Sequence, residues 1–321
     1  MPVLKPNVSV LILSLALLTP CVTRADDKKE RDTLEGHRDK ITALALSADG
    51  KTLASASLDN NILLWDLTTK KTVRTLQANI NPVNSVAFLG DGATLASVSD
   101  DKTMTLWSVA DGKQLVNVKA QVAALLAVAA SPDGSQLATA AANGVIKLWE
   151  PKTGNALREM QDGVNAVNAI AFSPDGKKLA SAGNDRTVIL WNVADGKQIA
   201  TLKGHTDNVH ALAFTSDGKT LASAGADRIV KLWNVANNQE VRTIQGHSDA
   251  VLAIAFSADG KLLATGSADK TAKLWDPSTG KERASFERHS GAVTAVRMTA
   301  DGKMLITGSS DRSIKLWALG E

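Results

Sequence analysis

Apolar and polar residues alternate in short runs along most of the chain, and the runs recur. One stretch shows the unit: Val209-His210-Ala211-Leu212-Ala213-Phe214, then Thr215-Ser216-Asp217-Gly218, then Lys219-Thr220-Leu221-Ala222-Ser223-Ala224. Short period-two runs separated by a Gly-containing tetrad predict two antiparallel strands joined by a tight hairpin, with the glycine left-handed. A third run, Ile229-Val230-Lys231-Leu232-Trp233, and a more polar fourth, Glu240-Val241-Arg242-Thr243-Ile244, complete the unit. The polar fourth strand is the one expected to face water.

The unit repeats without insertion. Trp65, Trp107, Trp149, Trp191, Trp233, Trp275 and Trp317 are each 42 residues from the next and account for all 7 tryptophans. An Asp-Gly pair keeps the same step from Asp49-Gly50 to Asp301-Gly302. A fixed period of this length signals a repeat architecture, and four strands per unit is the content of a β-propeller blade. Gly-His pairs at Gly36-His37, Gly204-His205 and Gly246-His247, with Trp-Asp at Trp65-Asp66 and Trp275-Asp276, make the chain resemble the WD40 family. The resemblance covers essentially everything after the first 25 residues and implies an all-β, seven-bladed propeller over residues 26–321. Only four residues follow Trp317, so the last blade lacks its own outer strand, while residues 29–35 align with the outer-strand segment 197–203. The N-terminal segment is therefore expected to fill that place, the velcro closure of the family, and to remove an exposed sheet edge.

His37, His205, His247 and His289 share one repeat position. The resemblance implies that each belongs to a structural tetrad: His37, Ser55, Asp59 and Trp65; His205, Ser223, Asp227 and Trp233; His247, Thr265, Asp269 and Trp275; His289, Thr307, Asp311 and Trp317. Histidine, hydroxyl and carboxylate also make up a hydrolase triad, but a nucleophile is needed once, and this set recurs around the ring. A chain through indole, hydroxyl, imidazole and carboxylate would instead satisfy every buried polar group it contains. One histidine per blade does not converge on a metal ion, and no metal site is expected. The histidine position holds Asn79 in blade 2, Gln121 in blade 3 and Gly163 in blade 4, and Asn143 replaces the aspartate in blade 3. Blades 2 to 4 are expected to be the softer side.

Family members commonly bind partners on the face that carries the loops leading into the first strand of each blade. The corresponding candidates are Lys40, Asn84, Leu126, Asn168, Asn208, His210 and Leu252. Interface hot spots favour Trp, Tyr and Arg, none of which occurs in this set. What remains is a modest apolar patch around Leu126 and Leu252, together with His210, the one histidine off the tetrad register.

Composition narrows the function. The formal charge of +3 falls to +1 once Lys5 and Arg24 are removed with the first 25 residues, and Tyr is absent, so nothing favours nucleic acid. Lys5, an apolar run over residues 8–18 and Thr23-Arg24-Ala25 form the pattern of a cleaved export signal, too short to span a bilayer. A signal peptide over residues 1–25 and a periplasmic or secreted mature protein without a stable membrane span are expected. Cys21, the only cysteine, would leave with the signal. Phosphate-binding, metalloprotease and nucleophile-elbow motifs are missing, and the Asp-Gly-Lys repeats lack the carboxylate spacing of a calcium loop. The sequence thus predicts a monomeric, cofactor-free, non-catalytic scaffold for protein partners. The alternatives are a propeller that uses its central channel for a small molecule or for lactonase-like chemistry, and a purely structural module of recent duplications.

Overall fold

The computed structural model describes residues 30–77, 81–90, 92–161, 163 and 165–320. The expected signal and Asn79 lie outside the described residues.

β1 (Glu30–Glu35) precedes the first blade. Blade 1 consists of β2 (Ile41–Leu46), β3 (Thr52–Ser57), β4 (Asn61–Asp66) and β5 (Lys71–Gln77). Blade 2 has β6 (Val83–Phe88), β7 (Thr94–Ser99), β8 (Thr103–Ser108) and β9 (Gln114–Lys119). Blade 3 has β10 (Leu125–Ala130), β11 (Leu137–Ala141), β12 (Val145–Glu150) and β13 (Asn155–Gln161). Blade 4 has β14 (Val167–Phe172), β15 (Lys178–Gly183), β16 (Thr187–Asn192) and β17 (Gln198–Lys203). Blade 5 has β18 (Val209–Phe214), β19 (Thr220–Gly225), β20 (Ile229–Asn234) and β21 (Gln239–Gln245). Blade 6 has β22 (Val251–Phe256), β23 (Leu263–Ser267), β24 (Ala272–Trp275) and β25 (Glu282–Phe286). Blade 7 has β26 (Val293–Met298), β27 (Met304–Ser309) and β28 (Ser313–Ala318), and its fourth strand is β1.

Every sheet is antiparallel and ordered from the channel outward, so the fold is a closed seven-bladed β-propeller. Adjacent blades cover both faces of each middle strand, which is why β3 and β7 read Thr-Leu-Ala-Ser rather than as clean alternations and are buried almost throughout. Four outer strands bury a single anchor near their end, Leu76, Met160, Leu202 or Ile244, β25 buries Ala284 as well as Phe286, and β9 buries none. Each fully buried side chain of this kind contributes roughly 1.5–3 kcal/mol.

β1 copies that outer strand in detail. Leu34 takes the anchor register opposite Ile314, and the Lys315 ammonium donates to Glu30 at 2.9 Å. Lys231 to Glu240 and Lys273 to Glu282, both 2.7 Å, are the same pair made within one blade. One apolar cluster joins Leu34, Ile306, Ile314 and Leu316 to Ile41, Leu44, Leu53 and Trp65 across the blade 7–blade 1 junction. The other described clusters likewise straddle neighbouring blades, each seating the tryptophan of the later blade.

Arginine clamps add to this packing. Arg74 donates to the Ala110 and Asp111 carbonyls of the next blade, and Arg158 and Arg242 do the same one and two blade pairs further on. The stem of Arg74 passes so close to Gly112 that an added Cβ would sit 2.5 Å from Cδ; with φ at 74°, that turn requires glycine twice over.

Candidate functional site: the channel mouth and the buried polar chains

The innermost strand of every blade carries a β-bulge at its second residue, seen as a register shift between Ile41 and Ala43 and at the equivalent place in the other six. A bulge re-aims the side chain of the extra residue. The seven bulge residues are Thr42, Asn84, Leu126, Asn168, His210, Leu252 and Thr294, and all of them line the channel. Four are tied to the next blade: Thr42 donates to the Val83 carbonyl at 2.6 Å, Asn84 to Leu125 at 2.8 Å, Asn168 to Val209 at 3.0 Å and Thr294 to Ile41 at 2.6 Å. The last of these bonds crosses the ring closure.

Of the candidate face residues, Asn84 and Asn168 are thus stitches between blades, each also donating to the residue that precedes the turn aspartate, Asp100 or Asn184. Leu126, His210 and Leu252 are the bulge residues that make no such stitch, and they stand at the channel mouth. Burial pushes the His210 imidazole below the usual histidine range, although Asp207 and Asp227 pull the other way. Lys40 and Asn208 are half-buried outside the channel wall, where their carbonyls accept from Leu58 and Ala226. Among the described residues, the most exposed large apolar side chain on this face, Val122 at 81%, was not among the expected residues. It sits next to Gln121, at a repeat position that is polar in blades 1, 5, 6 and 7 (Arg38, Thr206, Ser248 and Ser290) and apolar in blades 2 to 4 (Ile80, Val122 and Val164).

Beneath the face lie the polar chains. In blade 5, the Trp233 indole donates to Ser223 Oγ at 2.8 Å, Ser223 Oγ lies 2.7 Å from His205 Nε2, and His205 Nδ1 lies 2.7 Å from Asp227 Oδ2. Blade 1 repeats this through Trp65, Ser55, His37 and Asp59 at 2.8, 2.7 and 2.9 Å. Blade 6 runs through Trp275, Thr265, His247 and Asp269 at 2.8, 2.7 and 2.8 Å. Blade 7 runs through Trp317, Thr307, His289 and Asp311 at 2.9, 2.8 and 2.8 Å.

Donor logic fixes the protons. Indole can only donate, so the hydroxyl oxygen accepts from it and gives its own hydrogen to Nε2; Nδ1 then carries the imidazole proton and donates it to the carboxylate. Each aspartate also accepts from the backbone N–H after the histidine, as from Thr206 at 3.0 Å. Burial pushes His205, His247 and His289 below the usual histidine range against the pull of their aspartates, so the rings are neutral. Burial alone would raise the aspartates, but the hydrogen bonds they accept prevail and hold Asp269 and Asp311 at about 2. Ser55, Ser223, Thr265 and Thr307 have no exposed surface at all. An acyl group cannot reach those hydroxyls.

The Asp-Gly turns consume their carboxylates as well: Asp217 accepts from Thr215 Oγ1 at 2.7 Å and from the Lys219 N–H at 3.0 Å.

A closed ring of seven four-stranded blades, locked by buried Trp–hydroxyl–His–Asp chains, defines a class of repeat propeller. The family model described as WD domain, G-beta repeat matches residues 28–66, 70–108, 112–150, 155–192, 196–234, 238–276 and 280–318. The chain belongs to the WD40 repeat family. Each match takes in the outer strand of one blade and the three inner strands of the next, so every sequence repeat spans a blade junction and the first one begins at the strand that completes blade 7. WD40 propellers generally mediate protein–protein interaction and are typically non-enzymatic scaffolds. Among the described residues no helix is long and apolar enough to cross a membrane.

Proposed function

We propose that this protein is a non-catalytic scaffold in an extracytoplasmic compartment, and that it docks a protein partner on the channel-mouth face around blade 3. The observation that carries the reading is the pairing of Val122, 81% exposed, with the unstitched Leu126 on the same blade. An apolar side chain held out to water on the loop that enters a blade is the kind of feature a partner desolvates. Burial of the tetrad hydroxyls supports the absence of hydrolase chemistry, and the export-type pattern of residues 1–25 supports the compartment.

Crosslinking at native expression level, read by mass spectrometry, tests both parts. Val122→Asp with Leu126→Asp should abolish a reproducible crosslink, whereas Val241→Asp, on the outer rim of blade 5, should leave it intact. An interaction lost equally in both variants would reject the face. Recovery of the chain in the cytoplasm with residues 1–25 still attached would reject the compartment.

A further inference from the structure

The channel has a volume of about 690 Å³, within the range of roughly 300–1,000 Å³ typical of small-molecule sites. Its wall is built from the seven inner strands, and one column of that wall is broken. Six blades place alanine at the fifth residue of the inner strand: Ala45, Ala87, Ala129, Ala171, Ala213 and Ala255. Blade 7 places Arg297 there.

A guanidinium is permanently charged in proteins, so this position puts one full positive charge in a column that is otherwise alanine. Arg297 Nη1 curls back to donate to the Val296 carbonyl at 2.8 Å, and this is its one hydrogen bond among the described residues. No described acidic residue lines the channel, and no ion pair engages Arg297. Burial alone pushes its titration down from the ordinary arginine value, with no charged neighbour contributing. A cation left in this state is a site for an anion.

The surroundings specify which kind. There is no second cation among the described channel-lining residues, so a monoanion matches the charge and a dianion does not. The planar fork of guanidinium nitrogens fits a carboxylate in two-point fashion. At the neighbouring register Phe88, Phe172, Phe256 and Met298 supply apolar walls on four of the blades. We propose that the channel binds an organic monocarboxylate with an apolar body, its carboxylate on Arg297 and its hydrocarbon part along the alanine- and phenylalanine-lined wall.

Calorimetric titration of the intact protein with octanoate, 1-octanol and inorganic phosphate tests this. Three proteins are compared: the native chain, Arg297→Ala, which installs the residue the other six blades already tolerate, and Arg297→Met, which keeps length without charge. Octanoate should bind the native protein at least about tenfold more tightly than either variant, since a charge-assisted pair is lost in both. Octanol should not distinguish the three proteins. Octanoate binding that is unchanged in both variants, or no binding to the native protein at millimolar concentration, overturns the site. Phosphate binding as well as octanoate, and only with Arg297 present, overturns the ligand class.

Discussion

Blades 1, 5, 6 and 7 differ from blades 2, 3 and 4 in how far their polar chains run, and the difference separates two jobs that the tetrad does at once. The indole-to-hydroxyl bond is present in all seven: Trp107 to Ser97 at 2.9 Å, Trp149 to Thr139 at 2.8 Å and Trp191 to Ser181 at 2.8 Å match the four complete blades. That bond pins the third strand to the second. The histidine and aspartate instead tie the incoming loop to the turn between those strands, and no histidine stands at that position in blades 2 to 4. In blade 3, Gln121 reaches Thr139 at 3.5 Å and the Val145 carbonyl at 3.3 Å, while its own Oε1 is buried without a partner. A long contact and an orphaned acceptor replace two short bonds. The exposed Val122 follows directly after this loosened residue.

The largest way to break the comparison is to attack the strong side at its closure. Removal of residues 30–35 strips Leu34 from the blade 7–blade 1 cluster and exposes the edge of β28. The loss is expected to be on the order of 5 kcal/mol, from one buried leucine and a row of ladder bonds. Denaturant melts would show the transition moving further than for any single substitution; an unchanged midpoint would mean that β1 does not hold the ring shut.

Next come the hydroxyls. Ser223→Ala leaves both the Trp233 indole and His205 Nε2 buried without partners, an expected cost of about 2–4 kcal/mol. Ser97→Ala in blade 2 orphans the Trp107 indole alone and should cost about 1–2 kcal/mol. Equal costs would show that the histidine arm adds nothing to the strand pin.

Acid should then narrow the gap between the two halves. His205, His247 and His289 titrate below the ordinary value of about 6.5, so the unfolded chain takes up protons first. Stability falls as pH drops from about 6.5 toward their folded values. Asp269 and Asp311, at about 2, contribute fully above the ordinary aspartate value of 3.8 and lose that contribution as pH approaches 2. Blade 2 has no histidine to titrate in this way. Hydrogen exchange of amides in β24 and β28 should accelerate relative to β8 as pH falls from 7 to 5 and again below about 4. Parallel acceleration in all three strands would separate acid sensitivity from the tetrads.

Much of this was legible in the sequence because the repeat is so regular. The 42-residue step aligned Trp, Asp-Gly and His positions, so strand number and the place of β1 followed from counting, and the four His-containing sets followed from the resemblance to the WD40 family. What happens between blades was not legible, since no period states how one sheet is rotated against the next. Asn84 and Asn168 looked like free face residues, and only the bulge explains why their amides point at the carbonyls of the following blade. Arg297 was visible as a break in an alanine column, but a column means nothing until it is known to line a channel. Lys315 and Glu30 are 285 positions apart, and their pairing depends on ring closure.

The finest test rebuilds the missing arm in blade 3. Gln121→His with Asn143→Asp places imidazole and carboxylate at the positions they hold in the four complete blades, above a hydroxyl, Thr139, that already accepts from Trp149. Thr265 and Thr307 do the same work in blades 6 and 7, so threonine is no obstacle. Gly144, at φ 83°, occupies the left-handed turn position where other blades strain Asn60, Arg228 or Lys270, which leaves the turn free to accept the new aspartate. The pair should stabilise the fold by about 1 kcal/mol, from two net hydrogen bonds and one orphan removed, less the cost of burying a new charge. Either substitution alone should gain little or lose, because histidine without aspartate lacks its acceptor and aspartate without histidine lacks its donor. A double-mutant cycle in urea isolates that coupling. Additive effects would show that the loop of blade 3 cannot close into a tetrad, and that its looseness resides in the backbone rather than in the two missing side chains.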